Sequence, residues 1–159
     1  MVLGKYGKVF KISKKRKMND INENFVINIL NKVNFMGGNF IKSLNPYEHY
    51  DAENFETIVE IKVRQTDYDK HIIERYKYER NMEHSLSSNR NFYYVVVAYP
   101  YLYAWDLNYL DSIGYNYLWK TKNLRTTTIF ENNNEIPKVV GYLEKPFSLC
   151  LNLVNSKLI

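Results

Sequence analysis

Glu60-Ile61-Lys62 sets an acid and a lysine two positions apart, with a second acid, Asp51, shortly before them. These residue types suit the cutting of phosphodiesters. Such bonds resist hydrolysis because water must attack an anion and an alkoxide must leave. A divalent metal eases both steps by polarising the phosphate and lowering the pKa of bound water. Mg²⁺ favours hard oxygen ligands and usually takes one or two carboxylates while keeping several waters. Asp51 and Glu60 can supply those carboxylates, and the main-chain carbonyl of Ile61 is a further candidate ligand. A lysine beside them can orient the attacking water and stabilise developing negative charge.

The elements around these residues must bring them together. Over Phe55–Arg64, residues Phe55, Thr57, Val59, Ile61 and Val63 alternate with Ile58, Glu60, Lys62 and Arg64, which predicts a strand carrying Glu60 and Lys62 on one face. Glu48–Glu53 reads as a shorter strand before it. A tight hairpin between Asn54 and Thr57 sets Asp51 across from Glu60, about 5 Å apart at Cβ. Two carboxylates that close repel unless a cation sits between them.

Helical spacing of Ile21, Phe25, Val26, Ile29, Leu30 and Val33 predicts a helix from Met18 to about Phe35, capped by Asn19 or Asp20 and ended by Gly37-Gly38. Thr66 to about Leu86 predicts a second helix with one solvated, charged face. Phe92–Tyr99 is Val-rich and almost wholly apolar or aromatic, as a strand buried on both faces would be. Leu102–Leu107 follows as a further strand, able to pair with it as a hairpin. Beyond Asp106 the pattern weakens to a turn with a short helix over 108–118, a strand-like 125–130, an extended 139–143 and an otherwise irregular tail. The expected fold is α/β, a central mixed sheet flanked by helices.

This order, with Tyr50-Asp51 followed by Thr57-Ile58-Val59-Glu60-Ile61-Lys62, resembles the PD-(D/E)xK nuclease superfamily, which includes restriction enzymes, Holliday-junction resolvases and many small phage nucleases. The likeness covers roughly residues 18–107. It implies a restriction-endonuclease-like fold, dependence on Mg²⁺ or Mn²⁺, and DNA as partner and substrate, branched or junction DNA included; a homodimer and a phage or viral origin stay open. Asp51, Glu60 and Lys62 occupy the motif's positions. Tyr50 stands where the pattern has proline, and Glu48 and Glu53 compete with Asp51 for the first acid. Resolvase-like members add an acid from the first helix, which here would be Glu23. On the following helix Lys77 stands where relatives carry a residue that supports the site. Lys77 and Arg64 are candidates for touching nucleic acid.

The net charge of +5 is unevenly placed. Lys5, Lys8, Lys11, Lys14, Lys15, Arg16 and Lys17 lie in residues 1–17 without an acid, so removing this +7 from +5 leaves about −2 for residues 18–159. We read a basic N-terminal arm, with Lys14-Lys15-Arg16-Lys17 able to neutralise phosphates, followed by one nuclease-like domain over 18–159. Its core spans about 18–107, with peripheral elements at 108–159.

Cys150 is the only cysteine, which excludes an internal disulfide and a thiolate metal cluster. The three histidines lack zinc-site spacing. No apolar run approaches the roughly 20 residues of a membrane span, so a soluble, cytoplasmic protein is expected. The tyrosines at 93, 94, 99, 101 and 103 and Trp105 read as core rather than as platforms for bases. A non-catalytic nucleic-acid-binding or structural protein on the same scaffold is the rival reading.

Overall fold

The structure is a computed structural model that describes residues 21–45, 47–125, 134–154 and 157–158. Its centre is a seven-stranded sheet in the order β1-β2-β3-β5-β6-β9-β10, formed by β1 (Ile41–Lys42), β2 (Ala52–Glu53), β3 (Thr57–Arg64), β5 (Asn91–Ala98), β6 (Tyr101–Asp106), β9 (Leu149–Asn152) and β10 (Lys157–Leu158). β3 and β5 run parallel and the other neighbours antiparallel, so the sheet is mixed. A smaller sheet, in the order β4-β8-β7, is formed by β4 (Lys70–Glu74), β7 (Lys120–Arg125) and β8 (Glu135–Glu144).

Helix α1 (Glu23–Lys32) packs Val26, Ile29 and Leu30 against Val59 and Ile61 on one face of the main sheet. The Asn22 side chain accepts from the Phe25 N–H at 2.9 Å and starts the helix, so the cap lies later than Asn19 or Asp20. The helix also stops before Gly37-Gly38. Asn34 takes the left-handed conformation, φ 53°, just past its end, a role asparagine tolerates.

The opposite face carries Ile58, Tyr94, Val96, Tyr103 and Trp105, covered by the small sheet and helix α2 (Arg75–Ser88). A third helix, α3 (Leu107–Ser112), follows β6 and is capped by Asp106. Two polar anchors join the sheets: Trp105 Nε1 donates to the Glu144 carbonyl at 2.8 Å and the Tyr94 hydroxyl to the Ile72 carbonyl at 3.1 Å. Tyr93, Tyr94, Tyr103 and Trp105 are buried, as expected of core residues. Cys150 is only partly buried.

Several expectations need correction. The charged stretch after Thr66 begins as strand β4 and turns helical only at Arg75. The reason is a distant partner: β4 pairs with β8, from Lys70↔Glu144 to Glu74↔Val140, and buries His71 and Ile73. The tail is not irregular. β7 and β8 build the small sheet, while β9 and β10 extend the main one. Phe55 is 94% exposed in the hairpin turn rather than in the strand, and only Ala52–Glu53 of the preceding segment pairs. Of the expected strand at 125–130, only Arg125 is described, as the end of β7.

Candidate carboxylate and lysine site

The hairpin sets the site. β2 and β3 pair at Ala52↔Val59 and Glu53↔Ile58, and the Asn54 N–H donates to the Thr57 carbonyl at 2.9 Å across the turn. Asp51 directly precedes β2 and lies near enough to Glu60 for the two charges to interact. Asp51 is held there by three hydrogen bonds. Its N–H donates to the Val59 carbonyl at 2.8 Å, its carbonyl accepts from the Ser43 N–H at 2.9 Å, and its Oδ2 accepts from the Ile61 N–H at 2.6 Å. In an extended strand the N–H and C=O of one residue leave on the same edge, so the Ile61 carbonyl also faces the Asp51 side.

Glu60 is fully buried, yet two ammonium groups reach it. Lys62 Nζ and Lys77 Nζ each lie 2.6 Å from Oε1, with side chains 27% and 32% exposed respectively. The other oxygen, Oε2, is buried and has no hydrogen-bond partner. An uncompensated buried carboxylate oxygen is costly, and this atom keeps its full capacity to accept. β3 supplies Glu60 and Lys62 on one face by its two-residue period. Lys77 comes from the first turn of α2, whose start is fixed by β4.

The charges push on one another. Burial, then the charge of Glu60, lifts the Asp51 carboxyl to about 6; the Ile61 N–H and Lys62 work against the rise and Glu23 adds slightly to it. Burial pulls Lys77 down, but the adjacent Glu60 carboxylate outweighs it and holds the ammonium above its usual range. With both carboxylates and both lysines ionised the cluster is neutral.

The remaining candidates fall as follows. Glu23 opens α1 and pairs with Lys42 at 3.1 Å, near enough for its charge to reach Asp51. Arg64 ends β3, partly buried. Of the rival first acids, Glu53 accepts from the Tyr50 hydroxyl at 2.9 Å and pairs with Arg90, while Glu48 accepts from Ser43 Oγ at 2.8 Å. Both are engaged away from Glu60. Lys14, Lys15, Arg16 and Lys17 lie outside the described residues.

Sequence reasoning placed Lys77 beside the site as a nucleic-acid contact but did not foresee that it shares one Glu60 oxygen with Lys62. Nor did it find the cluster at the far end of the same face. There His71 is 2% exposed with its Nε2 3.5 Å from Asp67, while Asp67 accepts from the Tyr103 hydroxyl at 3.0 Å and pairs with Lys145 at 2.8 Å. No pattern signal marks it, because its members come from three separated segments, 67–71, Tyr103 and Lys145.

Among the described residues no group of three or more His, Cys, Asp and Glu side chains gathers to hold a metal. Two carboxylates do lie near enough to feel each other's charge, and the orphaned Oε2 of Glu60, Asp51 and the Ile61 carbonyl would offer an all-oxygen donor set. That set fits Mg²⁺ or Mn²⁺, with water completing the shell. It does not fit zinc.

No protein-family model and no curated protein sequence matches the chain. Among solved structures, the chain is similar to Hjc, a Holliday junction resolvase from Archaeoglobus fulgidus, an archaeal hyperthermophile. The identity is 12% and the TM-score 0.42, over 72% of this chain and 84% of that one.

Proposed function

We propose that this protein is a metal-dependent nuclease that hydrolyses phosphodiester bonds in DNA, branched or junction DNA included. The observation that carries the reading is Glu60: a buried carboxylate with one oxygen held by two lysines and the other without a partner, near enough to Asp51 for their charges to interact. A purely structural ion pair would not strand one oxygen in the interior. Nor would it bring a second carboxylate close enough to be lifted by the charge of the first.

Asp51, Glu60 and the Ile61 carbonyl would hold Mg²⁺ or Mn²⁺, which when bound polarises the phosphate and acidifies water. Lys62 is partly exposed on a long, rotatable stem, so its ammonium can turn from Glu60 toward a water aligned with phosphorus, stabilising the hydroxide that attacks. Lys77 is a positioning residue. It holds Glu60 in place while Lys62 moves. Asp51 must lose its proton before it can serve, which links the activity to pH near 6. Glu23 stands at the rim, where its charge can help hold cation-bound water.

The test is cleavage of labelled linear and branched DNA with Mg²⁺ or Mn²⁺. Glu60→Ala and Lys62→Ala should each abolish cleavage while circular dichroism shows a folded protein. Undiminished cutting by both variants overturns the reading. A protein that shifts DNA but never shortens it is the non-catalytic relative instead.

A further inference from the structure

Strand β8 is ten residues long, but β4 pairs only with Val140–Glu144. From Glu135 to Val139 its sole partner among the described residues is β7. The result is a two-stranded ribbon extending beyond the body of the fold. Pro137 lies in this stretch, opposite Asn123, where its missing N–H closes the bare edge to further pairing. Within β7, Lys120, Thr121, Lys122, Asn123 and Arg125 are all exposed, so the strand buries neither face. Isolated two-stranded ribbons are marginal in water, and packing does not explain this sequence. Apart from Leu124, its side chains are cations and hydrogen-bond donors, with no acid.

The ribbon also has a defined place. At its root Lys138 Nζ lies 3.0 Å from both carboxylate oxygens of Glu74, the residue that precedes α2. Lys77, in the first turn of that helix, touches Glu60. The cations of β7 therefore begin two strands across from Glu74, the residue that leads into the helix carrying Lys77. Six strand residues span about 20 Å, and the major groove of duplex DNA, about 12 Å wide, admits a two-stranded ribbon.

We propose that the β7–β8 ribbon grips duplex DNA beside the carboxylate site, with Lys120, Lys122 and Arg125 against its phosphates. This rests on the nuclease reading, which supplies the polyanion. Alternation puts Lys120 and Lys122 on one face and Arg125 with Asn123 on the other, so a ribbon lying in a groove can meet both flanking backbones. Lysines on an edge strand also block unwanted strand pairing. That role alone would leave DNA affinity untouched.

The experiment compares the full chain with the triple variant Lys120→Ala, Lys122→Ala, Arg125→Ala, a change confined to exposed side chains. Binding to a duplex and to a single strand of equal length is measured in EDTA across a range of salt concentrations. For the duplex the slope of log affinity against log salt should flatten by about 2–3, close to 0.9 for each phosphate no longer neutralised. Single-strand binding should weaken much less. An unchanged duplex slope, or an equal loss on both probes, overturns the proposal. Cleavage of the same duplex in Mg²⁺ is scored separately: cutting with an unchanged slope sinks only the ribbon, whereas a flattened slope without any cutting sinks only the nuclease.

Discussion

Lys77 Nζ sits 2.6 Å from Glu60 Oε1, the same oxygen that Lys62 approaches from within the strand. Two ammonium groups share one oxygen of a buried carboxylate and leave the other without a partner; on the proposed reading Lys77 anchors Glu60 while Lys62 turns away.

Removing the anchoring lysine should therefore cost both stability and turnover. For Lys77→Met we expect a loss of about 1–2 kcal/mol, less than for a wholly buried pair because Lys62 remains. Cleavage should fall about 10–100-fold, within the range for removing an electrostatic partner at a reacting centre. Lys77→Arg should recover much of both. Thermal unfolding and single-turnover cleavage on the same preparations check this.

Asp51 makes the site sensitive to pH with a defined sign. Its carboxyl rises from 3.8 to about 6 on folding, so between those values the native state binds more protons than the unfolded chain. Stability of the metal-free protein then falls as pH rises through that window and stays lower above it. Asp51→Asn should remove this penalty, stabilising the metal-free protein above pH 6 by on the order of 1–3 kcal/mol, read from denaturant melts in EDTA. Cleavage by the unaltered protein should rise with pH through about 6. More metal should shift that rise to lower pH, because cation and proton compete for Asp51.

The two nearby acids should separate by function. Glu53 is occupied by Tyr50 and Arg90, whereas Asp51 lies within reach of the Glu60 charge. Asp51→Asn should abolish cleavage. Glu53→Gln should keep it within about threefold and instead lower stability by about 1–3 kcal/mol through the unpaired Arg90. Equal losses of cleavage in both variants would contradict this assignment.

Gly141 tests the packing of the second sheet. A Cβ there would lie 2.8 Å from Cζ3 of Trp119 and 2.9 Å from Cβ of Tyr117. Gly141→Ala should cost about 1–3 kcal/mol as an overpacked site, measured by denaturant unfolding.

The local parts of this protein were legible in its residues. Two-residue alternation put Glu60 and Lys62 on one face of β3, a short turn paired the strand before it with β3, and the Val-rich run at 92–99 declared a strand buried on both faces. Each follows from patterns a few residues long, which backbone geometry alone enforces. What sequence left undecided depended on contacts between distant segments. β4 is a strand because β8 pairs with it, and it buries His71 and Ile73 in doing so. That pairing delays α2 until Arg75 and so aims Lys77 at Glu60. Alternation alone gives Asp51 and Glu53 the same face; tertiary contacts set them apart, Tyr50 and Arg90 gathering around Glu53 and the Ile61 N–H holding Asp51. Periodicity assigns a side chain to a face. Which partner it meets is decided by packing and pairing across the whole chain.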